Sequence, residues 1–235
     1  MIFKLVSIFF IGAGLWACSS VNTVVVHSTA VNMTNEQKTN QQIDSMIMPY
    51  KDSLSLEMNE VIANSATNFS VKRPNSNLGN WVADGIFVNQ TKTVRLTKPI
   101  ICLLNTGGIR STINKGPVTI GDMFKLMPFD NEIVWVELPV SVIPEIEEYL
   151  KKSGGEPISN AILKNGKLVF NNWNENSSSF WVITSDYLMN GGDKMNFFAK
   201  KLSVNKTGTL MRDALITEAR FQRVIEEDTT IRISF

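Results

Sequence analysis

The sequence has very little of the chemistry on which metal centres and nucleophilic catalysis depend. Its 235 residues contain one histidine, His27, and two cysteines, Cys18 and Cys102. Imidazole is the commonest ligand of transition metals and the usual base beside a nucleophilic serine or cysteine. We therefore expect no catalytic residue, no metal site and no cofactor within the folded part of this chain.

An excess of charge is also missing. The sequence has 23 basic and 22 acidic residues, so its formal net charge is +1. Nucleic-acid-binding domains usually carry a basic excess or a basic stripe, and we therefore expect no nucleic-acid partner. An anionic ligand would have to be held by a few placed groups. With 43% hydrophobic and 19% charged residues, the chain can bury an ordinary core.

The apolar run at the start of the chain is too short to cross a membrane. Lys4 precedes a mostly apolar stretch, 5–16, whereas a spanning helix needs about 20 apolar residues. This pattern is typical of a signal peptide. The tetrapeptide 15–18, Leu-Trp-Ala-Cys, resembles the bacterial lipobox, which implies cleavage before Cys18 and a lipid on its thiol. The alternative is a plain signal peptide with an incidental cysteine.

These features predict three segments. Residues 1–17 form a lipoprotein signal peptide, 18–40 form a flexible tether rich in Ser, Thr and Asn, and 41–235 form the folded domain. The lipid on Cys18 would anchor the protein to a membrane of the cell envelope, facing the periplasm. Cys102 lies in an apolar run and is predicted to be a small buried hydrophobic residue, so the mature chain has no intramolecular disulfide.

Periodicity predicts an alternation of helices and strands. We expect a helix at 77–88 with Asn77 as N-cap and a helix at 141–152 with Ser141 as N-cap and Gly154 just beyond its end. A third helix is expected at 207–223. Helical spacing is also present at Ile43, Met46, Ile47 and Tyr50. We expect a strand and connector at 61–69, strands at 99–104, 133–138, 180–188 and 229–235, and a hairpin at 163–170 around Asn165-Gly166. The mixture indicates an α+β fold with mixed β-sheets and flanking helices.

Three segments together carry a family resemblance. The first, 77–84, is Asn-Leu-Gly-Asn-Trp-Val-Ala-Asp. The second, 105–110, is Asn-Thr-Gly-Gly-Ile-Arg, followed by Gly-Asp at 121–122 and Met-Pro-Phe at 127–129. The third, 185–193, is Ser-Asp-Tyr-Leu-Met-Asn-Gly-Gly-Asp. In this order and spacing they resemble the C-terminal, nucleotide-binding domain of the bacterial 5′-nucleotidases and UDP-sugar hydrolases.

The resemblance implies a substrate site whose chemistry suits a nucleoside. Phe129 and Tyr187 would sandwich the flat base between two rings, and Asn105 would contact the base edge. Asp193 would accept hydrogen bonds from the ribose, and Arg110 would contact phosphate. The alternatives are core packing for the two aromatic residues, a surface ion pair for Arg110 and a turn for Asp193. The residues predicted to shape the backbone around the site are Asn77, Gly79, Asn80, Gly107, Gly108, Asn190, Gly191 and Gly192.

The sequence departs from the family pattern mainly where phosphate would be contacted. Many members have an arginine at the position of Pro74, and Arg73 is its neighbour here. Asn75 replaces a frequent glutamate, Thr106 replaces the middle glycine of the second segment, and Lys194 replaces a glycine after Asp193. Whether Arg73 takes over the missing phosphate contact is left open.

Family hydrolases cleave phosphate with an N-terminal metallophosphatase domain that uses two divalent metals, and a single histidine does not supply its ligands. We therefore expect this chain to recognise a nucleoside or nucleoside monophosphate in nucleotide catabolism and to be inactive alone, with the metals in a separate metallophosphatase chain. The alternatives are a stand-alone nucleoside-binding lipoprotein and a structural or interaction lipoprotein that has lost its ligand.

Overall fold

The computed structural model of the protein describes residues 40–235. The predicted signal peptide, the lipidation site Cys18 and the tether up to residue 39 lie outside the described residues. The chain divides into two units, Met1–Met46 and Ile47–Phe235, and the second contains the sheets. In the part of the chain described, no helix is both long and apolar enough to span a membrane.

Helices and strands alternate along the chain. The helices are α1 (Gln41–Met58), α2 (Asn77–Thr91), α3 (Ile120–Leu126), α4 (Ile143–Ser153), α5 (Asp186–Met189) and α6 (Met211–Gln222). The strands are β1 (Val61–Ser65), β2 (Ile100–Leu103), β3 (Gly116–Thr119), β4 (Glu132–Pro139), β5 (Ile158–Ser159), β6 (Ala161–Lys164), β7 (Lys167–Phe170), β8 (Ser179–Ser185), β9 (Ser203–Leu210) and β10 (Val224–Ile225).

The strands form mixed sheets, which confirms the predicted α+β class. The central sheet has five strands in the order β5-β2-β8-β4-β9. In it β2 and β8 run parallel, and the other neighbouring pairs are antiparallel. A second sheet has the order β10-β1-β3, and β6 and β7 form a hairpin.

Both faces of the central sheet are buried, because successive side chains of a strand point to opposite faces. In β2, Ile100 and Cys102 pack into a core with α2, α3 and α6, whereas Ile101 and Leu103 pack into a second core with α4. Cys102 is fully buried, as predicted, and burial raises the pKa of its thiol well above the ordinary value. A strand buried on both faces explains the unbroken apolar run in the sequence.

Two helix starts differ from the prediction. Ser76, with extended backbone, is the N-cap of α2: its Oγ accepts a hydrogen bond from Gly79 N at 2.9 Å. Asn77 is instead the first helical residue, and its side chain bonds to Ser70 N and to Asn68 O. The helix α4 follows a 3-10 turn at Val140–Val142, so Ser141 is not its cap, while Gly154 ends it with φ 79° as predicted.

Three strand and helix boundaries were also predicted incorrectly. The strand expected at 180–188 ends at Ser185, because the Ser185 side chain caps the short helix α5. Residues 207–210 belong to β9, which pairs with β4, and helix α6 begins only at Met211. No regular strand forms at 229–235, where Ile233 makes a single bridge to Leu163.

Local signals were more reliable. Asn165 and Gly166 both have positive φ, at 51° and 71°, and they join β6 to β7 in the predicted hairpin. The spacing in 43–50 does belong to a helix, α1. None of the α1 residues is buried, however, and Met46 and Tyr50 are more than 70% exposed.

A buried arginine near the end of the chain joins distant elements. Arg232 is 9% exposed. Its guanidinium donates to both carboxylate oxygens of Asp84 in α2 at 2.7 and 2.6 Å, to Ile158 O in β5 at 2.9 Å, and to Asp228. The Asn80 side chain adds two bonds to the same tail, to the carbonyls of Asp228 and Thr230. Sequence reasoning gave Arg232 no role.

Removing this guanidinium should destabilise the fold. We expect Arg232→Met to lower the free energy of unfolding by about 2–3 kcal/mol, because two partly buried carboxylates and a carbonyl lose a charged donor. Arg220→Met is the matched control: Arg220 pairs with Glu60, and both are about half exposed, so the loss should stay below about 1 kcal/mol. Urea unfolding of both variants gives the comparison, and equal losses would contradict the role assigned to Arg232.

A second polar cluster joins three strands of the central sheet. The Glu137 carboxylate in β4 accepts hydrogen bonds from Lys98, from Ser179 Oγ at 2.7 Å and from Ser203 Oγ at 2.7 Å. The bond from Lys98, followed by those from the two serines, lowers the pKa of Glu137 from 4.5 to about 2.

This shift predicts a pH dependence of stability. A carboxylate with a lowered pKa in the folded state contributes stability that is complete above its unfolded pKa and is lost as the pH falls through its folded pKa. The free energy of unfolding should therefore decrease between pH 4.5 and about 2, and the decrease should be smaller in Glu137→Gln. Chemical unfolding at a series of pH values measures it. Glu175→Gln, at an exposed loop position, should keep the slope of the unaltered chain.

Candidate functional site

Two loops meet beside the central sheet because of its topology. The strands β2 and β8 are parallel neighbours, so their carboxyl ends lie at the same edge. Asn105 follows β2 after one residue, and the loop at 190–194 follows β8 through the four-residue helix α5. Crevices outside the carboxyl ends of parallel strands are common ligand sites in α/β sheets.

Asp193 lies at the centre of this meeting point. Asn105 Nδ2 donates to its Oδ2 at 2.6 Å, and the Tyr187 hydroxyl donates to its Oδ1 at 2.9 Å. The Tyr149 hydroxyl, from α4, donates to the backbone oxygen of Asp193 at 3.2 Å. Three of these residues, Asn105, Tyr187 and Asp193, were predicted from the sequence as site residues, and the structure brings them together.

Tyr187 is held in place although half of it is exposed. It lies in the first turn of α5, not at the end of a strand as predicted, and 48% of its surface is exposed. A Cβ at Gly192 would lie 2.5 Å from a ring carbon of Tyr187. Only glycine therefore lets the ring rest against the backbone there. The hydrogen bond to Asp193 raises the pKa of the Tyr187 phenol above its ordinary value.

The backbone of the Asp193 loop has left-handed geometry. Gly191 has φ 88°, Asp193 has φ 49° and Lys194 has φ 65°. Gly191 adopts this region at little cost, whereas it is strained for Asp193 and Lys194. The backbone N–H of Asn190 donates to Asp186 O at 3.1 Å and closes the helix before the loop.

The turn after Asn105 contains glycines because neighbouring side chains leave little room for a Cβ. Residues 106–108 form a 3-10 turn, and neither Gly107 nor Gly108 has a positive φ. These glycines, predicted to shape the backbone around the site, therefore do so without left-handed backbone angles. A Cβ at Gly108 would lie 2.8 Å from Asn105 Oδ1, and one at Gly107 would lie 3.4 Å from Asp193 Oδ2. Side chains at these positions would crowd the pair of Asn105 and Asp193.

Sequence reasoning missed the buried carboxylate that supports this turn. Glu156 is 3% exposed. Its Oε2 accepts from Thr106 N at 2.6 Å, and its Oε1 accepts from Arg73 Nη2 at 2.6 Å. Arg73 also donates through Nε to Gly155 O at 2.9 Å. The Arg73 guanidinium is thus engaged in supporting the loop.

Phe129 lies on the loop that follows α3, and Arg110 lies on the loop that follows the glycine turn. The two loops are neighbours because Arg110 contacts the last residue of α3. Arg110 N donates to Leu126 O at 2.9 Å, and within residues 40–235 the exposed Arg110 side chain donates only to Gly107 O, at 3.3 Å. Phe129 is 48% exposed. Among the aromatic rings of residues 40–235, none packs against Phe129 or Tyr187. Both rings present accessible surface, and neither is a core residue.

A second residue that the sequence did not reveal fixes the Phe129 loop. Arg212, at the start of α6, is 6% exposed. It donates to Met127 O at 3.2 Å and to Asp130 Oδ1 at 2.6 Å, so its two bonds flank Phe129 along the chain. Neither Glu156 nor Arg212 belongs to a sequence motif, and each contacts its loop from a distant position.

The first motif supports the site from further away. The Asn77 and Asn80 side chains bind the tail near the end of the chain, at Glu227, Asp228 and Thr230. A Cβ at Gly79 would lie 3.3 Å from the Pro157 ring. These contacts place α2 close to the segment that carries Glu156.

A cavity of about 800 Å³ opens on one side of Asp193. Its lining includes Arg73, Tyr149, Glu156, Asp193, Lys194 and Phe197. Phe129, Tyr187, Arg110 and Asn105 do not line it. The cavity thus shares Asp193 with the hydrogen-bonded group of Asn105 and Tyr187, and the two exposed aromatic rings are not part of its lining.

Three carboxylates in the motif segments have structural partners, and these account for their positions. Asp84 pairs with Arg232, Asp122 forms a capping box with Thr119, and Asp186 accepts from Glu132 N at 3.1 Å. In the described part, residues 40–235, no three His, Cys, Asp or Glu side chains are grouped in a way that could hold a metal ion. These residues do not fit the two-metal centre of a metallophosphatase.

Comparison with known proteins agrees with this geometry. Residues 61–146 match the family model of the 5′-nucleotidase C-terminal domain. A trifunctional nucleotide phosphoesterase of Bacillus subtilis (strain 168) is 36% identical over 33% of this chain and 5% of that protein. The apyrase of Tabanus yao is 23% identical over 82% of this chain and 41% of its own length. The chain thus spans well under half of these relatives.

A solved structure shares the fold. The 5′-nucleotidase precursor of Thermus thermophilus superposes with a TM-score of 0.63 at 21% identity, covering 82% of this chain and 43% of that one. The predicted fold class is confirmed. Residues 61–146 thus resemble the 5′-nucleotidase C-terminal domain, and the chain shares the α+β fold of a solved 5′-nucleotidase.

Proposed function

We propose that this chain is the nucleoside- or nucleotide-recognition domain of a 5′-nucleotidase-like phosphohydrolase system in nucleotide catabolism. The observation that carries the proposal is the convergence of Asn105 and Tyr187 on Asp193 at the carboxyl ends of two parallel strands. An exposed carboxylate with ordered polar neighbours suits a sugar hydroxyl, which needs directed acceptors.

The surroundings of Asp193 supply the other contacts that a nucleotide needs. Phe129 and Tyr187 each offer an exposed aromatic surface on which a base can stack. Arg110 is exposed, and its guanidinium suits a phosphate oxygen. Arg73 is bound to Glu156 and Gly155, so Arg110 is the arginine that we assign to phosphate. The nucleotide-acting relatives are in keeping with this substrate class.

We propose that hydrolysis is carried out by a separate metallophosphatase. The 235 residues hold one histidine, and among residues 40–235 no three His, Cys, Asp or Glu side chains are grouped so that they could hold a metal ion. A separate metallophosphatase chain, in this proposal, brings two divalent metals that activate water for attack on phosphorus. The lipid on Cys18 would hold the recognition domain at the cell envelope, and the solved relative is likewise described as a precursor.

Binding of adenosine tests the recognition role directly. Titration calorimetry of the purified chain should show saturable binding of adenosine, and Phe129→Ala should weaken it about 5- to 150-fold because a stacking contact of about 1–3 kcal/mol is lost. Phe221→Ala removes a phenylalanine that is 80% exposed in α6 and should leave the affinity unchanged. No binding by the unaltered chain would favour an interaction lipoprotein that has lost its ligand.

The phosphate contact is tested by comparing adenosine with its monophosphate. Arg110→Ala should weaken binding of the monophosphate about tenfold and that of adenosine less than about twofold, because a charge-assisted bond is lost only in the former. Arg95→Ala, at another exposed arginine, should change neither affinity. Equal weakening of both ligands would contradict the role of Arg110. Metal-dependent release of phosphate by the chain alone, lost in Arg110→Ala, would overturn the non-catalytic part of the proposal.

A further inference from the structure

Both oxygens of the Asp193 carboxylate already accept hydrogen bonds from the chain itself. Oδ2 accepts from Asn105 Nδ2 at 2.6 Å, and Oδ1 accepts from the Tyr187 hydroxyl at 2.9 Å. The vicinal hydroxyls of a ribose bind a carboxylate best when each hydroxyl donates to a different oxygen. A ribonucleoside that approached Asp193 in this way would meet an O–H donor already in place.

The Tyr187 hydroxyl is chemically equivalent to one of those sugar hydroxyls. It is an O–H donor at hydrogen-bond distance from a single carboxylate oxygen. It also remains a donor at neutral pH, because the hydrogen bond to Asp193 raises the pKa of the phenol above its already high ordinary value.

The contact is fixed from both ends. The Tyr187 ring rests against Gly192, where a Cβ would lie 2.5 Å away. The backbone N–H of Tyr187 donates to Asp186 Oδ1 at 2.8 Å, and Ser185 caps the same turn. The Tyr149 hydroxyl bonds to the backbone oxygen of Asp193 and holds the other partner. The backbone contacts fix the turn that carries Tyr187, and a rotation of the ring away from Oδ1 would lose its contact with Gly192.

We infer that Tyr187 determines sugar specificity: its hydroxyl takes the place of one ribose hydroxyl on Asp193, so that the site accepts 2′-deoxynucleosides at least as well as ribonucleosides. This inference rests on the proposed function. A first sugar hydroxyl on Oδ2 must share that oxygen with Asn105, and this holds for both kinds of nucleoside. The second hydroxyl of a ribonucleoside competes in addition with the phenol on Oδ1, so that one bond is exchanged for another. A 2′-deoxynucleoside brings no second hydroxyl and leaves the phenol in place.

The test is calorimetric titration of the full chain and of Tyr187→Phe with adenosine and with 2′-deoxyadenosine. The unaltered chain should bind 2′-deoxyadenosine as tightly as adenosine or more tightly. Tyr187→Phe keeps the stacking face and frees Oδ1, so it should shift the ratio of the two affinities about tenfold toward adenosine, the value of one hydrogen bond to a charged group.

Tyr149→Phe is the matched control. It also removes a phenol that donates to Asp193, but to the backbone oxygen and not to the carboxylate. The ratio of the two affinities should therefore stay that of the unaltered chain, even if both affinities fall together. A shift in Tyr149→Phe as large as in Tyr187→Phe would mean that the loop's position, and not occupancy of Oδ1, sets the preference, which would overturn the inference.

The remaining outcomes separate this inference from the proposed function. If the unaltered chain and Tyr187→Phe both bind nucleosides with the same ratio of affinities, Tyr187 does not determine sugar specificity and the recognition role stands. A tenfold preference for adenosine in the unaltered chain would likewise overturn only the inference. If neither chain binds either nucleoside, the proposed function fails and the inference fails with it.

Discussion

The buried guanidinium of Arg232 is the interaction on which the candidate site depends most. It joins Asp84 of α2 to Asp228 of the tail and to Ile158 of β5. A cation with so little exposure is tolerated only where anions and carbonyls surround it. Ile158 lies two residues after Glu156, which in turn holds the backbone of Thr106. A short series of polar contacts thus connects the tail to the glycine turn and helps to fix the position of that turn.

The site combines a rigid sheet edge with loops that are fixed by charged side chains. The strands β2 and β8 bring the two loops together, and the proposed recognition groups lie beyond the ends of these strands. Glu156 holds one loop, and Arg212 holds the loop that carries Phe129. Both are nearly buried and both bond to backbone atoms. Loops carry the recognition groups in many proteins because a scaffold positions them while leaving their side chains accessible.

The structural features that were predicted well from the sequence are those that depend on residues adjacent in the chain. The Asn165-Gly166 turn and the apolar run of β2 are set by local chemistry, and both were predicted. The pairing of β9 with β4, and the lack of a strand at 229–235, depend on distant partners that leave no local pattern. The family resemblance singled out Asn105 and Asp193, and the structure brings these two side chains into hydrogen-bond contact. Glu156 and Arg212 escaped prediction because isolated charged residues resemble surface residues until their partners are known.

The contacts of the tail also determine when, during synthesis, the domain can reach its final form. Arg232 and Asn75 meet partners that are separated from them by 148 to 158 residues. Helix α2 and strand β2 leave the ribosome long before these partners exist. The contacts that support the glycine turn and Glu156 are therefore complete only after residues 228–233 have been synthesised. A process that requires an incompletely folded chain can therefore act until these residues are made.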